Sequence, residues 1–269
     1  MTKKISNEIK LLIIGKNSFI GKNLFNFLKK RIISKKITFE QFKKKDNKFL
    51  QSFSHICNCA ITKQYATKKY KKKNDIDQLI LMRIKKFNIK YIFLSSRKVY
   101  KPKANIKENS PLVGNDNYSK NKITTEKYIK RNIKNKYLIL RVSNLIGSYN
   151  NKYRKISNTF IDNYFKYRKL KKDIFYENLF KDFFSIDQFN NIFLKILQKN
   201  LKGIYNISIG KKIFIKELLK ALNKGKKLKN FKEKKISSND SFYLNNDKLI
   251  KKIKIKITKR SLFQYCYNI

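Results

Sequence analysis

Tyr118 and Lys122 are the two side chains in this sequence whose types and spacing best fit proton transfer. They lie four positions apart in a stretch with a helical apolar pattern, so both side chains can point into one cleft. A free phenol has a pKa near 10 and is too weak a base at neutral pH. Lowering that pKa by ~3 units takes about 4 kcal/mol, part of which a neighbouring ammonium group supplies. The chain has 16 tyrosines among many lysines, so the same pair also arises by chance.

A glycine-containing segment, Gly15 to Gly21, follows the first apolar run and opens an amphipathic stretch. Glycine allows a tight turn and lets backbone N–H groups approach a pyrophosphate, whose charge then lies at a helix N-terminus. Two of the seven glycines of the chain fall in this segment, although Ser18 occupies the middle position where glycine is usual. The pattern fits a dinucleotide-binding loop, and a purely structural turn between a strand and a helix would give the same pattern.

Two further apolar runs end in polar side chains. Tyr91 to Ser95 leads into Ser96, and Leu138 to Val142 leads into Ser143 and Asn144. Ligands of open parallel sheets bind beyond the carboxyl ends of the strands. Ser96 is therefore expected at the ligand-binding edge of the sheet.

The elements that must position these residues alternate between short apolar runs and amphipathic stretches, which predicts an α/β fold built on a doubly wound parallel sheet. A smaller C-terminal substrate-binding lobe is expected beside it. The sheet domain is assigned to residues 1–150, with a segment at about 181–207 that crosses back to it, and the lobe to residues 151–180 and 208–269. The predicted strands are 9–14, 37–39, 56–61, 91–95, 137–142 and 203–207, and the helical stretches after residue 150 are 153–169, 185–199 and 213–223.

The composition narrows the choice of partners. Of 269 residues, 67 are Lys or Arg and 17 are Asp or Glu, a formal net charge of +50, yet 41% are hydrophobic, so the chain is expected to fold. The dominant residues use A/T-rich codons, and the lysines are spread along the chain instead of forming one stripe. We therefore attribute the charge to composition and expect no specific nucleic-acid partner.

The apolar stretches and the cysteines argue against a membrane protein, a zinc protein and a disulfide-stabilised protein. No apolar stretch approaches the ~20 residues of a membrane helix, so no membrane partner is expected. Cys57, Cys59 and Cys266 lack the spacing of a zinc site or a disulfide frame, which predicts free thiols, a cytoplasmic location and no metal. His55, the single histidine, is assigned a structural role.

Together these motifs make the sequence similar to the NAD-dependent epimerase/dehydratase group of the extended short-chain dehydrogenase/reductase superfamily, which acts on nucleotide sugars. The resemblance runs from residue 9 to about residue 222, with departures at Ser18, Lys101, Lys181 and Gln188. The segments that carry it, each with the family pattern in parentheses, are Gly15–Gly21 (Gly-x-x-Gly-x-x-Gly), Leu94–Tyr100 (Ser-Ser-x-x-Val-Tyr-Gly), Tyr118–Lys122 (Tyr-x-x-x-Lys), Arg141–Gly147 (Arg-x-x-Asn-x-x-Gly), Lys181–Gln188 (Arg-Asp-Phe-x-x-Val-Asp-Asp) and Gly203–Gly210 (Gly-x-Tyr-Asn-x-x-x-Gly).

The resemblance implies a Rossmann-type fold and a catalytic trio. Ser96 would hydrogen-bond the reacting sugar oxygen, Tyr118 would be the general acid/base, and Lys122 would bind the nicotinamide ribose and lower the tyrosine pKa. The implied substrate contacts are Ser96 and Asn144, and the implied cofactor contacts are Gly15, Ser18, Phe19, Ile20, Gly21, Ala60, Tyr118 and Lys122.

Cofactor choice depends on the residue after the second strand. An acid about 20 residues beyond the glycine loop accepts the ribose hydroxyls of NAD, whereas basic groups there accommodate the extra phosphate of NADP. Glu40 follows the predicted strand 37–39 and precedes three lysines, while family spacing places Phe39 at this position. We expect NAD, with NADP as the alternative.

The expected function is epimerisation or reduction at a sugar carbon of a nucleoside-diphosphate sugar, in a chain compatible with a homodimer. A 4-keto-sugar reductase resembling dTDP-4-dehydrorhamnose reductase is the alternative. Dehydratases of the family use an acidic pair after the catalytic hydroxyl, where this chain has Arg97 and Lys98. A catalytically inactive binding module, for example for RNA, is the alternative from another class, and the intact trio argues against it.

Overall fold

Strands and helices alternate through the first two thirds of the chain. The computed structural model describes residues 9–147, 160–170, 172–225, 230–237 and 239–269, and of residues 160–163 it describes the backbone alone. The strands are β1 Lys10–Ile14, β2 Ile33–Ile37, β3 His55–Asn58, β4 Lys90–Ser96, β5 Tyr137–Val142, β6 Asn144–Ile146, β7 Ile174–Glu177, β8 Phe180–Lys181, β9 Phe183–Ser185, β10 Gly203–Ile207, β11 Ile213–Phe214 and β12 Phe231–Lys234.

The helices have these bounds: α1 Phe19–Leu28, α2 Phe39–Lys43, α3 Asn47–Gln51, α4 Lys63–Thr67, α5 Ile76–Ile84, α6 Asn117–Asn132, α7 Phe160–Lys169, α8 Ile186–Gln198, α9 Ile215–Leu222, α10 Asp247–Ile253 and α11 Lys259–Asn268. A 3-10 turn, Arg97–Val99, directly follows β4. The amino-terminal part of the predicted helical stretch 153–169, up to residue 159, lies outside the described residues.

Six parallel strands form the central sheet in the order β10-β5-β4-β3-β1-β2. The chain leaves β1 for β2 on one side and then returns for β3 on the other, so the strand order reverses at β1. Open α/β sheets bind ligands at the carboxyl ends of the strands next to such a reversal. The doubly wound parallel sheet predicted from the sequence is confirmed.

Both faces of the sheet are buried, which explains the nearly continuous apolar runs of its central strands. Alternate side chains enter two separate hydrophobic clusters, one under α1 and α8 and the other under α5 and α6. Leu11, Ile13, Ile92, Leu94, Leu138 and Leu140 belong to the first cluster, and Leu12, Ile14, Ile56, Tyr91, Phe93 and Ile139 to the second.

The second strand corrects the sequence-based assignment. It spans Ile33–Ile37 and not 37–39, because Thr38 accepts a hydrogen bond from the Gln41 backbone N–H and starts α2 in a capping box. In the common order of dinucleotide-binding sheets a further strand lies beyond the second one. Here β2 is the edge strand, and the short helices α2 and α3 connect it to β3.

The carboxyl-terminal third of the chain contributes to two regions. Helix α8 packs against α1, and β10 adds the sixth strand beside β5. The pairs β6·β9, β8·β11 and β7·β12 lie outside the central sheet. The division of the chain into a sheet domain and a lobe stays a prediction, and its boundary at residue 150 lies outside the described residues.

No helix in the described part of the chain combines the length and apolar character that a membrane crossing requires. Among the same residues, no group of three or more His, Cys, Asp or Glu side chains is arranged to hold a metal ion.

Candidate active site

The glycine loop lies at the carboxyl end of β1, where the strand order reverses. Gly15 has φ +101°, and a Cβ on it would lie 2.7 Å from the Ala60 backbone nitrogen. A Cβ on Gly21 would lie 2.4 Å from the Gly15 carbonyl oxygen. Both positions therefore require glycine for the close approach of backbone to backbone.

Ser18 has a local reason for replacing the middle glycine. Its φ of −74° is open to any residue, and its hydroxyl accepts a hydrogen bond from the Gly21 N–H at 3.0 Å as the N-cap of α1. The same hydroxyl donates to the Gly15 carbonyl at 2.8 Å. Serine at this position thus closes the loop through its bond to Gly15 and caps α1, although the family pattern has glycine there.

Residues predicted to contact the cofactor gather around this loop. Ala60 lies against Gly15, and its N–H donates to the Asn58 side chain at 2.9 Å. Phe19 lies against Gly147, where an added Cβ would be 2.0 Å from the Phe19 ring. Ile20, in the first turn of α1, is half-buried.

Tyr118 and Lys122 occupy the first turns of α6. Asp116 caps this helix and accepts a hydrogen bond from the Ser119 N–H at 2.8 Å, which fixes where the helix begins. The Lys122 Nζ lies 5.8 Å from the centroid of the Tyr118 ring. The two side chains therefore share a face of the helix, as their spacing predicts.

Lys122 also connects α6 to the strand that carries Ser96. Its ammonium group is buried and donates to the Leu94 carbonyl at 2.9 Å, while lying 4.4 Å from the centroid of the Phe93 ring. Ser96 ends β4 two residues later, and its hydroxyl accepts a hydrogen bond from the Lys98 N–H at 3.2 Å. Helix α6 and β4 thus hold all three members of the predicted trio.

Asp77 is a neighbour of Lys122 that the sequence analysis missed. It is buried and accepts hydrogen bonds from Tyr91 Oη at 2.6 Å and from the Asn58 amide at 3.0 Å. Burial raises the Asp77 pKa to about 6, and the positive charge of Lys122 opposes that rise. Through Asn58 and Lys122, this carboxyl group links the Ala60 loop to α6.

A second buried acid, Asp75, anchors the middle of α6. Its carboxylate accepts from the Thr125 hydroxyl at 2.7 Å and from Tyr70 Oη at 2.9 Å, and it caps α5. The Thr125 hydroxyl also lies 2.7 Å from Tyr65 Oη. Sequence reasoning found neither acid, because only the fold brings residues 75 and 77 against residues 122 and 125.

The other predicted contacts lie at the margins of this site. Asn144 begins β6, and its N–H donates to the Asp182 carbonyl at 3.3 Å. Glu40 lies in the first turn of α2, with its side chain 71% exposed and paired with Lys43 at 2.5 Å. Because β2 ends at Ile37, Thr38 and not Glu40 directly follows the strand.

His55 lies at the opposite, amino-terminal edge of the sheet. It borders an open cleft of about 730 Å³ lined also by Ser54, Lys90 and Lys202. Its Nδ1 is 2.9 Å from the Ser54 hydroxyl, and its Nε2 has no hydrogen-bond partner among the described residues. This cleft is remote from Ser96 and Tyr118, which lie towards the carboxyl edge.

Acid is expected to destabilise the fold through His55. Burial, with a contribution from Lys90, lowers the His55 pKa from its ordinary 6.5 to about 4. The unfolded chain then binds more protons, so the stability present above pH 6.5 falls as the pH drops towards 4, by at most about 3 kcal/mol. Because His55 is the only histidine, urea titrations of the wild type and His55→Asn across this pH range isolate the effect. If the free energies of unfolding of the two proteins fell in parallel as the pH drops, this role of His55 would be contradicted.

One protein-family model matches the segment of the chain that contains the predicted catalytic trio. Residues 78–208 match the model of the NAD dependent epimerase/dehydratase family. That segment contains Ser96, Tyr118, Lys122 and Asn144. No curated protein matches the chain significantly.

Solved structures match the fold over nearly the whole chain. UDP-N-acetylglucosamine 4-epimerase from Methanobrevibacter ruminantium, in complex with UDP-N-acetylmuramic acid, has a TM-score of 0.79 at 16% identity, covering 97% of this chain and 96% of that one. dTDP-glucose 4,6-dehydratase from Bacillus anthracis, in complex with NAD, has a TM-score of 0.75 at 17% identity, covering 97% and 96%. UDP-glucuronic acid 4-epimerase from Bacillus cereus, in complex with NAD, has a TM-score of 0.73 at 17% identity, covering 97% and 99%.

The sheet order and the likeness to these structures place the protein in the doubly wound, Rossmann-like class of α/β proteins. Within that class, residues 78–208 match the model of the NAD dependent epimerase/dehydratase family, and this match supports the resemblance stated from the sequence.

Proposed function

We propose that the protein is an NAD-dependent enzyme that epimerises or reduces a sugar carbon of a nucleoside-diphosphate sugar. The observation that carries the proposal is the placement of Tyr118 and Lys122 on one face of α6, with Lys122 bonded to the end of β4 that presents Ser96. The family match and the nucleotide-sugar enzymes among the similar structures support the same reading.

The residues around the glycine loop fit a dinucleotide. Side chains are excluded at Gly15 and Gly21, so a pyrophosphate can approach the backbone at the start of α1. The first turn of α1 contains no acidic residue that would repel it. Gly15, Ser18, Phe19, Ile20, Gly21 and Ala60 would line this part of the cofactor site.

A nicotinamide dinucleotide held by the residues around the glycine loop would supply the hydride chemistry at the sugar carbon. Tyr118 would take or supply the proton of the sugar hydroxyl at its own phenolic oxygen. Lys122 would bind the nicotinamide ribose, and Ser96 would orient the reacting oxygen through a hydrogen bond. Asn144 would contact the nucleotide sugar from β6.

The residues after Ser96 favour epimerisation or reduction over dehydration. Dehydration needs acidic groups beside the reacting sugar, and Arg97 and Lys98 occupy those positions. A screen of nucleotide sugars with NAD and NADP, following cofactor absorbance and product stereochemistry, tests the activity. Cofactor retained on the purified protein would favour an epimerase, and stoichiometric oxidation of reduced cofactor would favour a reductase.

NAD is expected to bind more tightly than NADP. The Glu40 carboxylate, if it reaches the adenosine ribose, would accept its hydroxyls and repel a 2′-phosphate, although its pairing with Lys43 offsets part of that repulsion. Calorimetric titration of both cofactors should show a preference for NAD that Glu40→Ala reduces by about tenfold. Glu217→Ala, which removes a carboxylate from α9, is the control. Tighter binding of NADP by the wild type, unchanged in Glu40→Ala, would show that Glu40 has no part in cofactor choice.

A further inference from the structure

The cleft of about 730 Å³ that His55 borders lies along the amino-terminal edge of the central sheet. Its lining comes from the starts of four strands that are consecutive in the sheet: His55 begins β3, Lys90 begins β4, Lys136 directly precedes β5 and Lys202 directly precedes β10. Ser96 lies at the other end of β4, six positions after Lys90 and therefore about 20 Å away. The cleft is thus separate from the candidate active site.

The cleft concentrates positive charge without a counterion. Lys90, Lys136 and Lys202 line it, no Asp or Glu is among the described residues that do so, and none of the three lysines pairs with an acid in the described part of the chain. Burial, with a contribution from the charge of Lys202, lowers the pKa of Lys90 from its ordinary 10.5 to about 8. A bound anion would relieve the repulsion between these two ammonium groups.

Neutral acceptors hold the Lys90 ammonium group in the free protein. It donates to the carbonyls of Asn200 at 3.1 Å and Leu201 at 3.3 Å, and also to the side-chain oxygen of Asn200. Both residues precede β10, so the Lys90 side chain passes the start of β5 to reach them. An anion that replaced the Asn200 side chain would give Lys90 a charged acceptor, which forms a stronger hydrogen bond than a neutral one.

His55 places a buried imidazole beside Lys90. The two residues are register partners in the β3·β4 pair, and His55 is only 8% exposed. The Ser54 hydroxyl accepts from the Lys10 N–H at 3.0 Å and lies 2.9 Å from His55 Nδ1. When this hydroxyl donates to Nδ1, the ring proton is on Nε2, which has no partner among the described residues. An imidazole N–H and an ammonium group on adjacent strands can serve two oxygens of one phosphate group.

The other polar groups of the cleft are side-chain amides. Those of Asn88, Asn135 and Gln198 make no hydrogen bond within the described part of the chain. An amide both donates and accepts, as the hydroxyl groups of a sugar or polyol do. No Phe, Tyr or Trp is among the described lining residues, so a nucleotide base would have no such ring to stack on. The lining therefore favours a sugar over a nucleoside.

We propose that this cleft binds a phosphorylated sugar or polyol, with Lys90 and His55 contacting the phosphate group and the amides contacting the hydroxyl groups. Lys136 and Lys202 add the charge that attracts the phosphate. The volume of the cleft lies within the range of about 300–1,000 Å³ of small-molecule sites, well above the needs of inorganic phosphate alone. The site shares no residue with the glycine loop or with the proposed catalytic trio, so it goes beyond the proposed function.

Titration of the untagged protein with glucose 6-phosphate tests the proposal. His55 is the only histidine, so the NMR signals of its imidazole report binding at the cleft without overlap from another histidine. We expect these signals to shift saturably at neutral pH, with glucose and inorganic phosphate each binding at least about tenfold more weakly. Lys90→Gln should lower the affinity for glucose 6-phosphate by about tenfold to a hundredfold, and Lys202→Gln by about fivefold. Lys216→Gln, which removes the same charge from α9, is the control and should leave the affinity unchanged.

Thermal unfolding checks that each variant is folded. Lys90→Gln removes the bonds to Asn200 and Leu201, whereas Lys202 is exposed and bonds to no described residue, so Lys202→Gln tests the cleft even if Lys90→Gln fails to fold. Absence of a saturable shift in the wild type would overturn the proposal, as would equal affinities of Lys202→Gln and Lys216→Gln. Equal affinities for glucose 6-phosphate and inorganic phosphate would overturn the assignment of a sugar. None of these results depends on whether the nucleotide-sugar activity is found.

Discussion

Replacing Tyr118 with phenylalanine is expected to lower turnover of the nucleotide sugar by about 10²- to 10⁴-fold while the protein remains folded. The substitution removes only a hydroxyl, which makes no hydrogen bond to a described residue, so little packing is lost. The hydroxyl is the proton carrier in the proposed reaction. Steady-state kinetics on the substrate found in the nucleotide-sugar screen, together with thermal unfolding, measures both effects.

Two further variants make the test specific. Tyr128→Phe removes the same group from the same helix outside the site, and its turnover should match that of the wild type. Lys122→Met should lower both turnover and the affinity for NAD, since it removes the charge beside Tyr118 and the bond to the Leu94 carbonyl. Near-wild-type turnover of Tyr118→Phe on the true substrate would refute the assignment of the general acid/base.

The largest expected loss of stability comes from Glu126→Gln. Glu126 and Arg141 form a bidentate ion pair at 2.6 and 3.0 Å, with both side chains almost completely buried. Ser95 donates to the same carboxylate at 2.6 Å, and Arg141 also donates to Tyr100 Oη at 2.6 Å. Removing one charge leaves a buried guanidinium unpaired, which costs about 3 to 5 kcal/mol. The midpoint of thermal unfolding should fall by roughly 6 to 20 °C.

An exposed ion pair provides the matched control. Glu233 pairs with Lys216 at 3.2 Å, and both side chains are more than 40% exposed. Glu233→Gln should change the free energy of unfolding far less than Glu126→Gln does, because solvent screens an exposed pair. The double variant Glu126→Leu with Arg141→Met should recover most of the lost stability, because it leaves no unpaired charge. Equal losses of stability in Glu126→Gln and Glu233→Gln would contradict the prediction that the buried ion pair contributes more than the exposed one.

Local patterns predicted the central sheet and the positions of the active-site candidates. The strands Tyr137–Val142 and Gly203–Ile207 begin and end where the apolar runs do, because both faces of the sheet are buried and the runs have no competing turn signal. Spacing alone also placed Tyr118 and Lys122 on one helix face. These features depend on residues that are near one another in the sequence.

The features that the sequence did not predict depend on long-range contacts or on side-chain capping. The second strand was misplaced because the Thr38 cap outweighs the β-propensity of Thr38 and Phe39. The Asp77–Lys122 proximity and the bridge from Asp240 to Arg97 join residues 45 and 143 positions apart. In a chain with 67 basic residues, no local pattern indicates which lysine or arginine will meet a buried acid.

The position of β2 at the end of the sheet has a consequence for assembly. An edge strand presents unpaired backbone groups along which a second chain can add a strand. Strand β2 carries Lys35 and Lys36, whose ammonium groups lie above the Phe49 and Phe25 rings at 5.0 and 4.4 Å from the ring centroids. Two copies meeting edge to edge would bring these four lysines together, and their repulsion opposes a sheet that continues from one molecule into the next. Self-association of this protein is therefore expected to use another surface, and an edge-to-edge aggregate to form only where salt screens the charge.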